Sequence, residues 1–279
     1  MTLIIDNETL KKYIPNQFET IDDEDTLFDK IEPSLVTAEL WIEKFIAPLD
    51  VNYDENTTNL LCQICTLYAF EIEIPSLDLV LTPNGFGIVS NQNIAPASSE
   101  RVTRLIKSIK EKRNRTIDKV LNMLNENSDW PASKQAEFWH QSLFQFLWQI
   151  TTIRNTVTSD DAFNDYIKLM PAIINIENKF AEHVLSFPLL DKLRYFLHSN
   201  ELTNQEIILA NKVYNSTISL LNCDKNLFAA HFSHFCAQIA NYLKSNINDF
   251  DDWKNSDAAS KWIDPKFFVN EKKNHGYFF

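Results

Sequence analysis

Three small groups of residues have types and spacings that could do chemistry. Cys62-x-x-Cys65 has the spacing of a redox dithiol or half a metal site. It lies in an apolar stretch, without Gly-Pro between the thiols, a preceding strand pattern or a second C-x-x-C. Two small core residues on one helix face is the favoured reading. His231, His234 and Cys236 gather on one predicted helix, and histidines at i, i+3 could share a metal. There is no H-E-x-x-H and no third carboxylate at matching spacing, so a metal-dependent enzyme at His231 and His234 stands only as an alternative. Glu39 and Glu177 occupy equivalent positions in the two halves. Paired acid–base carboxylates are one reading, and a structural role on separate helices is the simpler one. The expectation is no catalysis, no cofactor and no metal.

Composition narrows the classes further. Glycine occurs three times in 279 residues, at Gly85, Gly87 and Gly276. Phosphate-cradling loops and nucleophile elbows need several glycines for positive φ and close backbone approach, which argues against nucleotide and α/β-hydrolase chemistry. The net charge of −12 argues against a surface that binds nucleic acid throughout, though not against a local basic strip. Four cysteines in no small secreted scaffold point to reduced thiols. No apolar run reaches the roughly 18 residues of a spanning helix, and Met1-Thr-Leu-Ile-Ile-Asp6 lacks a signal-peptide pattern. A soluble intracellular product without a membrane partner is expected.

The elements that would position these residues are organised by a pattern written twice. Phe28-Asp-Lys-Ile31-Glu-Pro33-Ser-Leu35-Val36-Thr-Ala38-Glu39 aligns with Tyr166-Ile-Lys-Leu169-Met-Pro171-Ala-Ile173-Ile174-Asn-Ile176-Glu177. Proline suits the first turn of a helix, and the following aliphatics have the spacing of a buried helical face. Two related helical domains in tandem are therefore expected. The all-α division is 1–127 with a hairpin over 77–97, an inter-domain segment 128–158, and 159–279 with an aromatic arm.

Along the chain, the acidic run Asp22-Asp23-Glu24-Asp25 reads as a solvated lead-in to a helix that stops before Pro48. Asn56-Thr57-Thr58 can cap the next helix. Leu79-Val-Leu81, Pro83-Asn84-Gly85 and Phe86-Gly87-Ile88-Val89 read as a projecting β-hairpin turning at Asn84-Gly85. Partner contact through Leu79, Leu81, Asn84, Gly85, Phe86, Gly87 and Ile88 is expected, with capping of the domain as the alternative. Ser98 or Ser99 opens the longest helix, through about Leu124. On it Arg101, Arg104, Lys112, Arg115 and Lys119 form one narrow basic strip. That strip is either a solvated face, with Glu111 and Asp118 for ion pairs, or a surface for an acidic neighbour or DNA. Residues 125–135 read as the joint between domains, followed by an aromatic segment (Phe138, Trp139, Phe144, Phe146, Trp148) that is either a buried helix or a docked linker. Asp160 can cap the second repeat helix, and Thr203-Asn-Gln-Glu206 is a capping box. The tail brings Phe267, Phe268, Tyr277, Phe278 and Phe279, aromatics that want a surface to bury against.

Ile31-x-Pro33-x-Leu35-x-x-Ala38-Glu39, the Leu60–Phe70 helix, Gly85-Phe-Gly-Ile-Val-Ser90 and Pro96-Ala97-Ser98 resemble the head–tail connector (adaptor) proteins of tailed phages and prophages of Bacteroidetes. Trp130-x-x-Ser133, Leu143-Phe144 and Tyr166–Glu177 resemble the second copy found in longer members. Two departures stand out: Ala47-Pro48-Leu49 and Ser186-Phe187-Pro188 replace a glycine expected after each repeat helix. The resemblance implies a structural virion protein of the neck, assembled in host cytoplasm. It implies a self-assembled ring of about twelve copies, with portal protein and tail or neck proteins as partners and DNA passing through without specific binding. A helical scaffold of a non-phage bacterial assembly is the alternative.

Overall fold

The computed structural model describes residues 3, 5–14, 26–77, 79–82, 85–88, 98–126, 130–143, 146, 149–153, 161–199 and 201–263. The fold is all-α. Its helices are α1 (Asn7–Tyr13), α2 (Leu27–Phe45), α3 (Glu55–Glu73), α4 (Ser99–Asn125), α5 (Lys134–Leu143), α6 (Ile150–Ile153), α7 (Ala162–Phe180), α8 (Phe187–Ser199), α9 (Asn204–Leu221), α10 (Phe228–Ser245), α11 (Asp251–Lys254) and α12 (Asp257–Ser260). Between α3 and α4, Leu79–Thr82 (β1) and Gly85–Ile88 (β2) pair antiparallel, with Leu79 opposite Ile88 and Thr82 opposite Gly85. Pro83 and Asn84, where the turn is expected, lie outside the described residues, as do 89–97 and the acidic run 22–25.

Local chemistry explains most helix starts. Thr26 and Asp29 form a reciprocal capping box on α2, and Thr203 and Glu206 form another on α9. Asp54, not the expected Asn56-Thr57-Thr58, caps α3, its carboxylate accepting the amides of Asn56 and Thr57. Asp161 accepts from the Asn164 amide at the head of α7, the role expected of Asp160, which lies outside the described residues.

The repeat prolines are not in the first turn. Pro33 is the seventh residue of α2 and Pro171 the tenth of α7. Each gives up one backbone hydrogen bond, and each is solvent-exposed, so water can serve the carbonyl left over.

The chain divides into two compact units. One comprises 1–143 and 147–170, the other 144–146 and 171–279. This differs from the expected division and corrects the tandem expectation. The second copy of the pattern is cut at Met170/Pro171 rather than founding a domain of its own. The reason lies in its side chains: Phe163 and Tyr166 pack with Trp41 and Trp139 in the first unit, whereas Ile176 and Phe180 belong to the core of the second. The expected joint at 125–135 is also corrected. Trp130 is fully buried and donates from its indole to the Ile46 carbonyl, which fixes this stretch in the first unit.

In the first unit α3 packs between α2 and α4. Leu10, Ile31, Leu67, Phe70, Ile74 and Ile109 form one of its apolar clusters. The second unit is built on the end of α7, on α8, α9 and α10, and on Phe250, Trp253 and Ala259. After Phe180 the helix loosens into a π-turn, Ala181–Leu185, and stops at Ser186 with φ 79°. Ser186 is the one non-glycine residue with positive φ among the described residues, and it stands where the resemblance calls for glycine.

Candidate functional site

The chemistry-capable residues are occupied by structural bonds or by packing. Cys62 and Cys65 are buried in α3, and the Cys65 thiol faces the Leu35 carbonyl. Burial, with the Glu39 charge nearby, pushes both thiols up, away from the thiolate form. His231 and His234 are exposed on α10. Their rings lie against Phe235, and His234 shares a hydrogen bond with Gln238. Among the described residues no three His, Cys, Asp or Glu side chains gather closely enough to hold a metal ion.

Each repeat glutamate is occupied by structural bonds within its own unit. Glu39 accepts the Leu3 amide at 2.9 Å. Glu177 is fully buried, accepting the Phe146 amide at 3.0 Å and the Arg194 guanidinium at 2.9 Å. Two further carboxylates take structural roles that the sequence did not show, Glu71 half-buried and Asp118 buried. Glu71 holds the buried Arg113, whose guanidinium lies over the rings of Trp41 and Tyr68. Burial raises the Glu71 carboxyl, and Arg113 and Lys110 oppose that rise. Asp118, expected to offer a surface ion pair, is instead buried. It accepts the amides of Ile150 and Thr151 and the Thr151 hydroxyl. Desolvation pushes its carboxyl up to about 6 against those bonds.

The basic strip is a real surface feature. Arg101, Arg104, Lys112, Arg115 and Lys119 are all exposed on α4. Three of the five have partners within the unit: Arg104 with Glu100 and Arg115 with Glu111 one turn away, and Lys112 with the Tyr13 carbonyl of α1. Leu79, Leu81, Gly85, Phe86, Gly87 and Ile88 are described in backbone only, and Asn84, Phe267, Phe268, Tyr277, Phe278 and Phe279 lie outside the described residues.

A feature that sequence reading missed is the outer face of α2. Ile31, Ser34, Ala38 and Ile42 face inward, while Pro33, Val36 and Leu40 form a second stripe on the opposite side. Val36 and Leu40 are each 61% exposed. The signal was present as an apolar pattern on both sides of one helix, which ordinarily marks a helix buried all round.

This is a helical protein whose titratable groups mostly hold its own structure. It belongs to the family of unknown function DUF6712, which it matches over residues 19–138 and 225–261, more than half of the chain. The first copy of the repeated pattern lies inside the matched residues and the second outside them. No curated protein and no solved structure matches the chain. Among the described residues no helix is long and apolar enough to cross a membrane.

Proposed function

We propose that this chain is a structural subunit that works by self-association, and specifically a head–tail connector of a tailed phage. The observation that carries the assembly part is the Pro33–Val36–Leu40 stripe, apolar side chains left in water on a helix whose other face is already buried. A neighbouring copy packed there would complete the burial of α2. The strip Arg101–Lys119 lies in the same unit and suits an acidic neighbour, in keeping with a chain of net charge −12. The phage part rests on the resemblance of Ile31–Glu39, Leu60–Phe70 and Gly85–Ser98 to connector proteins. In that reading the subunit sits in the virion neck between portal and tail proteins, in a ring of about twelve copies. The 79–90 segment is its contact with a neighbour or the portal, and DNA passes through the ring.

Mass spectrometry of purified tailed particles tests the reading directly. Copy number is taken against the major capsid protein, and about a dozen chains per particle is the expected result. Absence from intact particles removes the phage reading and leaves a cellular helical scaffold. Val36→Asp with Leu40→Asp should abolish self-association in light scattering while the helical circular dichroism is kept. Deleting 79–90 should stop ring formation in the same assay, and unchanged assembly would sink the role given to that segment.

A further inference from the structure

The second unit contains a groove of about 450 Å³ between α10, the π-turn and the end of α12. That volume falls in the range of small-molecule sites, roughly 300–1,000 Å³. One wall is aromatic. Phe232 stacks on Phe180 at 5.0 Å between centroids and nearly parallel to Phe228 at 6.1 Å, and the His183 ring meets its edge at 5.4 Å. The opposite side is fixed by the π-turn. Its last carbonyls have no helical donor of their own. Those of Glu182, His183 and Val184 accept from the Lys261 ammonium, the Trp262 indole and the Trp253 indole, at 2.9 Å for Lys261 and 2.8 Å for Trp262. Lys261 and Trp262 are thereby positioned at the groove before anything binds.

The charge at this groove is opposite to the net charge of the chain. Among the described residues Lys179 and Lys261 line it and no carboxylate does, in a protein of net charge −12. The Lys179 ammonium lies 5.3 Å from the Phe228 centroid, and neither lysine has an ion-pair partner among the described residues. Cys236 completes the lining, and burial pushes its thiol up to about 12, so it adds no negative charge.

We infer that this groove binds a small planar aromatic carboxylate. The ring would lie against Phe228, Phe232 and Trp262, and the carboxylate would bridge the ammonium groups of Lys179 and Lys261. Stacking supplies the apolar part, and two cations with no ion-pair partner among the described residues, beside a partly dry surface, supply selectivity for the anion.

The test is a titration of the full chain with 2-naphthoate, followed by protein NMR or ligand fluorescence. Its arms are the neutral isostere 2-naphthylmethanol and a blocked Trp-Glu peptide. Saturable 2-naphthoate binding is expected, at least tenfold tighter than the neutral compound. The double variant Lys179→Gln, Lys261→Gln should lose that preference while keeping the melting temperature, and Phe232→Ala should weaken both compounds by about tenfold. If Phe232→Ala unfolds the unit, the lysine pair still decides the matter. Absence of saturable binding, equal affinity for the neutral compound, an unchanged double variant, or binding of the peptide alone would each overturn the inference.

Discussion

Glu39 and Glu177 close the two copies of one sequence pattern, and each accepts a backbone amide from a segment far upstream, 36 and 31 residues away. Their surroundings differ. Glu39 is half-buried and makes no ion pair among the described residues. Glu177 is sealed from water and faces Arg194, which is itself buried and lies 3.8 Å from the exposed Asp191. The same contrast runs along both helices. Leu35 and Val36 are half-buried and exposed, whereas their counterparts Ile173 and Ile174 are buried and half-buried. A local pattern can specify a proline-bearing helix that ends in a glutamate. How deeply that glutamate is buried is set by chain segments the pattern does not contain.

The contrast breaks most visibly at the ion pair. Removing one partner of a buried pair leaves the other charge stranded, at about 3–5 kcal/mol. Glu177→Gln and Arg194→Ala should each lower the unfolding free energy by that much, read as a lower urea midpoint at an unchanged slope. The double variant should lose less than the two singles added together. A loss below about 1 kcal/mol for both would mean that water reaches the pair.

Asp118 sharpens the point, being a buried carboxylate served by amides and a hydroxyl, with no ion-pair partner among the described residues. Its folded value of about 6 lies above the ordinary 3.8. The folded state therefore holds this proton more tightly than the unfolded chain does. The associated stability is fully present below pH 3.8 and is lost as pH rises through about 6. The gap corresponds to roughly 3 kcal/mol. Measured as the difference between wild type and Asp118→Asn from pH 3.5 to 7, stability should fall by about that amount. A flat difference would show that the three hydrogen bonds fully offset desolvation.

The ends of the two repeat helices differ as well. The first closes at Ile46 with φ −116°, an ordinary conformation, while the second closes at Ser186 with φ 79° and ψ 150°. A side chain in that region costs about 1–3 kcal/mol. Ser186→Gly should relieve it. The gain is reduced by a more flexible unfolded chain and by loss of the hydroxyl's bond to the Leu189 amide. A net stabilisation of about 1 kcal/mol, read from thermal unfolding, is expected. No gain would mean that the serine hydroxyl matters more than the strain.

What the sequence made legible follows the range of the interactions. The capping box at Thr203–Glu206, the stop before Pro48 and the long α4 beginning after Ser98 depend on neighbours within a turn or two, and all were readable. The exposed strip on α4 was readable too, because helical spacing alone aligns its cations. The inner positions of the prolines were missed, because the helices start at caps upstream of them, Thr26 with Asp29 on α2 and Asp161 on α7, and a proline read as a first-turn residue hides those starts. Trp130 looked like a linker residue, since Pro131 and the polar run before it are local signals, yet its indole is paired with Ile46, 84 residues away. The groove lined by Phe232 and Lys261 joins three distant segments, and no spacing rule connects them.

The smallest expected effect tests the comparison from its weaker side. In Glu39→Gln an amide oxygen can still accept the Leu3 amide hydrogen, and among the described residues no buried cation loses its counter-charge. Substitutions at half-exposed sites away from caps and core usually stay within about 0.5 kcal/mol, and that is the change in unfolding free energy expected from urea unfolding. The same chemical substitution at Glu177 is expected to cost several times more, because there it strands Arg194. If the two variants lost equal stability, depth of burial would not be what separates the copies. The shared amide bond would then carry the energy in both, and the pattern itself, rather than its surroundings, would set the role of the glutamate.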